Sequence, residues 1–67
     1  MSFEEFEKMI KELDEELYVV EESDLFLVYR KHAYGPEFVG SVPVIDTDDF
    51  EHRDLALALG LEWWLWS

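Results

Sequence analysis

Leu17-Tyr18-Val19-Val20-Glu21-Glu22-Ser23-Asp24-Leu25-Phe26-Leu27-Val28-Tyr29-Arg30-Lys31 is the stretch on which the fold turns. Residues 17–22 read as a first strand, with Tyr18, Val19 and Val20 of the aromatic and β-branched types that suit a pleat. Residues 21–24 are polar and supply a turn. Residues 25–31 then form a second strand. Two strands joined by so short a connection pair as an antiparallel hairpin. The run from Leu25 to Tyr29 does not alternate between apolar and polar, so both faces of this strand are expected to be covered, at least in part. A small sheet with helices on one side leaves its other side wet. The apolar run therefore implies helices on both sides or self-association, and it nominates Phe26 and Val28 as interface residues.

Before the hairpin, residues 2–16 read as a helix. Ser2 and Glu5 have the spacing of a capping box, in which each side chain satisfies a backbone donor near the other. Phe3, Phe6, Met9, Ile10, Leu13 and Leu17 form one apolar stripe at helical spacing. Glu4–Lys8, Glu7–Lys11 and Lys8–Glu12 are i,i+4 pairs on the wet side. Asp14, Glu15 and Glu16 crowd the helix C-terminus, where the macrodipole disfavours anions. The sequence shows no structural return for that cost. The charges are either tolerated surface charge or an acidic patch that a partner reads, and Glu4, Glu12, Asp14, Glu15 and Glu16 are the candidate patch.

After the hairpin, Gly35-Pro36 breaks regular structure, which makes the segment around His32 and Tyr34 a loop. Residues 38–45 read as a third strand. Pro43 removes a ladder donor, so the strand lies at an edge or ends near there. Gly40 marks a candidate bulge. Thr47 or Asp48 is the expected N-cap of a second helix, with Glu51 completing a capping box. Residues 49–59 are rich in Ala and Leu, both strong helix formers. The leucines from Leu55 to Leu61 also alternate with Ala, Ala and Gly, but Ala is poor in strands, so helix is preferred. Gly60 is then a C-cap, or a weak point in a helix that continues to about Leu65. The fold expected is α+β: helix, three-stranded antiparallel meander, helix, and an aromatic C-terminal tail, in one domain over residues 1–67.

The tail holds Trp63, Trp64 and Trp66, all the tryptophan in the chain. Consecutive Trp63 and Trp64 cannot both face one core from a single regular element. All three are candidate interface residues, since tryptophan is enriched where interfaces are strongest.

Composition narrows the function. The chain has 67 residues, and a chain this short buries only about 60% of its unfolded surface. Without cysteine it has neither disulfides nor thiolate metal sites, so aromatic packing must serve instead. The net charge is −12, which repels nucleic-acid phosphates and anionic lipid and steers basic partners toward the protein. No direct nucleic-acid binding is expected. The apolar end of the chain is too short for the about 20 residues that span a bilayer, so no membrane association is expected. The acidic start lacks the pattern of a secretory signal, and a cytoplasmic location is expected.

Catalytic chemistry finds little support. Asp46, Asp48, Asp49, Glu51 and His52 cluster, but Phe50 and Glu51 fall where a calcium loop needs an oxygen ligand and glycine. The cluster reads as helix capping. His52 lies one helical turn from Asp48 and Asp49, yet no serine stands in a nucleophile motif. The three glycines are scattered and make no phosphate loop. No metal, cofactor or enzyme activity is expected. Tyr29, Arg30, Lys31, His32 and Tyr34 form a basic-aromatic patch that would pair with acid on the same or another subunit.

Phe3-Glu4-Glu5-Phe6 with Leu13, Val20-Glu21-Glu22-Ser23-Asp24-Leu25-Phe26, and Asp46-Thr47-Asp48-Asp49-Phe50-Glu51 together resemble a group of short proteins encoded by phages and prophages of Gram-positive bacteria. The resemblance implies a helix, three strands and a helix in that order, and a cytoplasmic accessory role. No functional residue comes with it. The function expected is non-enzymatic interaction: an acidic surface that acts on a basic host protein as a nucleic-acid mimic. The alternative is a homo-oligomeric module closed through the tryptophan tail.

Overall fold

The computed structural model describes residues 1–61. It is an α+β fold: α1 (Phe3–Leu13), β1 (Leu17–Glu22), β2 (Leu25–Arg30), β3 (Glu37–Pro43), a 3-10 turn (Val44–Thr47) and α2 (His52–Leu59). The expected aromatic tail, with Trp63, Trp64 and Trp66, lies outside the described residues.

The capping box forms as the sequence predicts. The Glu5 N–H donates to Ser2 Oγ at 3.2 Å, and the Ser2 N–H donates to Glu5 Oε1 at 3.3 Å. The stripe of α1 buries Phe6 and Ile10, with Phe3, Met9 and Leu13 packed around them. The helix ends three residues before the expected boundary. Asp14 turns extended at φ −161°, and its carboxylate accepts the Glu16 N–H at 3.0 Å. A short acidic side chain that binds backbone donors locally competes with the next helical turn.

The strands form an antiparallel meander in the order β1-β2-β3. Glu22 pairs with Leu25, leaving a two-residue turn at Ser23 and Asp24, with Ser23 at φ 54°. Val28 pairs with Gly40 while Tyr29 pairs with Phe38, so Val39 is the extra residue of a bulge beside the glycine that signalled it. β3 stops at Pro43 rather than running to Ile45. Residues 44–47 wind into the 3-10 turn, and the buried Thr47 hydroxyl donates to the Val44 carbonyl at 2.7 Å.

That bond also moves the second N-cap. With the Thr47 hydroxyl committed backwards, the cap is Glu51, not Thr47 or Asp48, and the Glu51 N–H donates to Asp54 Oδ2 at 2.9 Å. At the other end Gly60 takes φ 70°, the Leu61 N–H reaches the Ala56 carbonyl at 2.7 Å, and the Gly60 N–H reaches that of Leu57 at 3.3 Å. This pair of bonds is a Schellman closure, and it confirms both the helix and its glycine stop.

Both helices lie on one face of the sheet. Phe6 stacks on Phe26 at 4.4 Å between ring centres, and Leu17, Val19, Val28, Val42, Leu55 and Leu59 complete the core. Gly40 lets α2 approach closely: a Cβ there would sit 3.0 Å from Leu59 Cδ2. Phe26 and Val28 are fully buried in this core. They are not surface residues, which corrects their nomination as interface. Strand geometry turns alternate residues to opposite faces, and these two share the helix side.

Candidate functional site

The molecule has two unlike sides. The register fixes which residues form the sheet face turned away from the helices, because directly paired residues point the same way. These are the rows Tyr18–Tyr29–Phe38, Val20–Leu27–Ser41 and Glu22–Leu25–Pro43. Tyr18 stacks on Tyr29 at 5.6 Å, and Phe38 meets Tyr29 edge-on at 5.5 Å. Phe38 is 56% exposed, Val20 40% and Leu25 38%. The apolar second face inferred from the run at 25–29 therefore exists. It is carried by Leu25, Leu27 and Tyr29, the opposite parity from Phe26 and Val28. At its Tyr18 end lies a shallow pocket of about 300 Å³ lined by Tyr18, Lys31, His32, Gly35 and Pro36. His32 Nε2 lies 3.3 Å from Glu37 Oε2.

The helix side is acidic and is assembled from two separate parts of the sequence. Glu4, Glu12 and Glu15 are exposed, as are Asp46, Asp48, Asp49 and Glu51, whereas exposed Glu16 sits at the end of the sheet, where its carbonyl accepts the Lys31 N–H at 3.0 Å. Two contacts bring the second group against the first. The Met1 ammonium pairs with Asp48, and His52 Nε2 meets Glu12 Oε1 at 2.9 Å. Asp48 lies close enough to Glu5 to oppose its ionisation, but the Ser2 backbone N–H, followed by the Ser2 hydroxyl, holds the Glu5 carboxyl below its usual range. Nothing in the local sequence signals this composite surface, which exists only once the 3-10 turn and α2 have folded back beside α1.

Asp14 belongs to neither side. Burial pushes its carboxyl up, but the Glu16 N–H and then the Arg30 guanidinium outweigh that and hold it below the usual aspartate range. It is therefore the internal member of the five-residue acidic patch. Its return for standing at a helix C-terminus is the ion pair with Arg30, the same-subunit acid pairing open to the basic-aromatic patch. His52, expected near Asp48 and Asp49, instead makes its shortest described contact with Glu12.

Among the described residues, no group of three or more His, Cys, Asp or Glu is placed to hold a metal ion. No described helix is long and apolar enough to cross a membrane. No family model matches the chain, and neither the curated proteins nor the solved structures give a match.

Proposed function

We propose that this is a non-enzymatic interaction protein of a phage or other mobile element. It acts in the cytoplasm by laying its acidic helix side on the basic, nucleic-acid-binding surface of a host protein. The observation that carries this reading is the convergence of carboxylates from α1 and from residues 46–51 on one side of a −12 chain. A basic groove that binds phosphates gains affinity by releasing the counterions it displaces. Carboxylates fixed on a folded surface engage the same lysines and arginines and compete for them. The resemblance to short phage-encoded accessory proteins fits such a role.

The test is a salt series with a competitor. Basic nucleic-acid-binding proteins of the host are titrated with this protein at increasing sodium chloride, with and without duplex DNA. The expected result is an affinity that falls steeply as salt rises, with DNA and this protein excluding one another. The triple substitution Glu4→Gln, Glu12→Gln, Glu15→Gln should flatten the salt slope. Binding indifferent to salt, or a stable ternary complex with DNA, overturns the reading.

A further inference from the structure

The sheet face opposite the helices carries one charged residue, Glu22, among its nine strand residues. On β3, an edge strand of the described sheet, this face presents Phe38, Ser41 and Pro43, all exposed. Ser41 is the small member of the three. The edge is therefore low between Phe38 and Pro43, and open there to Leu27, the partner of Ser41 on β2. β3 is also the strand on which α2 packs, with Leu59 against Gly40. The Schellman closure at Gly60 then turns the chain, and Leu61 packs against the core. The last described residue thus follows a helix end seated on an edge strand, with the apolar face just round that edge.

We propose that residues 62–67 pass round β3 and cover this face, with tryptophan rings seated over Ser41 and Leu27 and against Phe38 and Tyr29. Length permits it. The side-chain layers on the two faces of a sheet lie about 10 Å apart, and the next strand is about 5 Å further in. Six residues span at most about 20 Å. Composition matches as well. Glu62-Trp63-Trp64-Leu65-Trp66-Ser67 holds four large apolar side chains and one charge. The face offers the rings of Phe38 and Tyr29, which tryptophan meets edge-on or offset with a gain beyond the area buried. Charge and tethering favour this segment over a second copy. Two chains at −12 repel as they approach, whereas residues 62–67 bring no second charge of that size to the face. Their direct connection to Leu61 holds them there at an effective concentration on the order of millimolar, so that weak contacts suffice. The acidic helix side is then the surface left for a partner.

Tryptophan emission reads this segment alone, because residues 62–67 hold every tryptophan in the chain. The whole chain is compared in buffer and in urea, from low micromolar to near-millimolar protein, with sedimentation equilibrium alongside. The expected result is a monomer whose emission lies to the blue of the unfolded chain and resists quenching by acrylamide at every concentration. Ser41→Lys sets a charge beneath the rings at an exposed position. It should move the emission most of the way to the unfolded value and restore quenching, while far-ultraviolet circular dichroism stays that of the folded parent. Phe38→Lys should do the same. Leu57→Lys, on the exposed side of α2, should leave the emission unchanged. Wild-type emission equal to that of the unfolded chain overturns the proposal. So does a blue shift that grows only as the protein associates, which gives the cover to a second copy. A blue shift that survives Ser41→Lys, or one that Leu57→Lys removes, also overturns it, since the rings would then be buried elsewhere.

Discussion

Arg30, the last residue of β2, directs its guanidinium to the carboxylate of Asp14, the residue that ends α1. The pair ties the start of the chain to the centre of the sheet, and both partners are partly shielded from water. It replaces the next helical turn with a bond to a different element.

Its pH dependence follows from the lowered pKa of Asp14. A depressed carboxylate stabilises the fold above its unfolded value, about 4, and that contribution is lost as pH falls through the folded value. Asp14→Asn should therefore cost about 1 kcal/mol at neutral pH, between an exposed ion pair and a buried charged hydrogen bond. As pH falls through that folded value the variant and its parent should converge. Urea melts at stepped pH measure this, and a gap that stays constant across the range would contradict it.

Phe26 and Leu27 are neighbours with opposite fates. Phe26→Ala removes the ring stacked on Phe6 and should cost about 3–5 kcal/mol. For a chain of this size, that is enough to unfold most molecules. Leu27→Ser touches only the outer face and should stay within about 1 kcal/mol at dilute concentration. Chemical denaturation of both variants decides the matter. Equal losses would mean that the two faces are not distinct.

Gly40 has its cause in Leu59. Gly40→Ala should destabilise by about 1 kcal/mol, because the added methyl at 3.0 Å forces the leucine aside. In a Leu59→Ala background the same change should be neutral or slightly stabilising, since room exists and alanine loses less entropy on folding. A double-mutant cycle measures the coupling, and additive costs would show that the close approach does not matter.

Ser23 holds φ 54° at the first central position of a two-residue hairpin turn, a conformation glycine adopts without steric cost. Ser23→Gly should raise stability by about 0.5 kcal/mol, read as a higher urea midpoint at unchanged slope. A drop would mean that the serine side chain supports the turn.

The fold was legible wherever a signal was local. The capping box at Ser2 and Glu5, the turn at Ser23, the stop at Pro43 and the glycine cap at Gly60 each depend on a few adjacent residues. Thr47 shows where such reading fails. A threonine before an acidic turn serves equally as a cap for the helix ahead or a partner for the carbonyl behind, and only the burial of its hydroxyl chose the second. Phe26 and Val28 fail for another reason. An unbroken apolar run carries no parity, so which half faces the helices waits on the packing of Phe6 and Leu55. The acidic side needed Asp48 beside Met1 and Glu12 beside His52, a convergence that no spacing in the sequence encodes.

The order β1-β2-β3, identical in space and in sequence, sets the tempo of folding. Each strand meets its partner through a short loop, so the meander closes with little entropy lost to long excursions. The contact between Glu12 and His52, 40 residues apart, can form only when the last helix swings back across the sheet. The rate-limiting barrier should therefore resemble α1 on the meander with α2 still undocked. Leu55→Ala should then speed unfolding and leave the refolding rate nearly untouched, while Phe6→Leu should slow refolding. Stopped-flow chevrons with matched slowing of refolding for both variants would rule out that sequence of events.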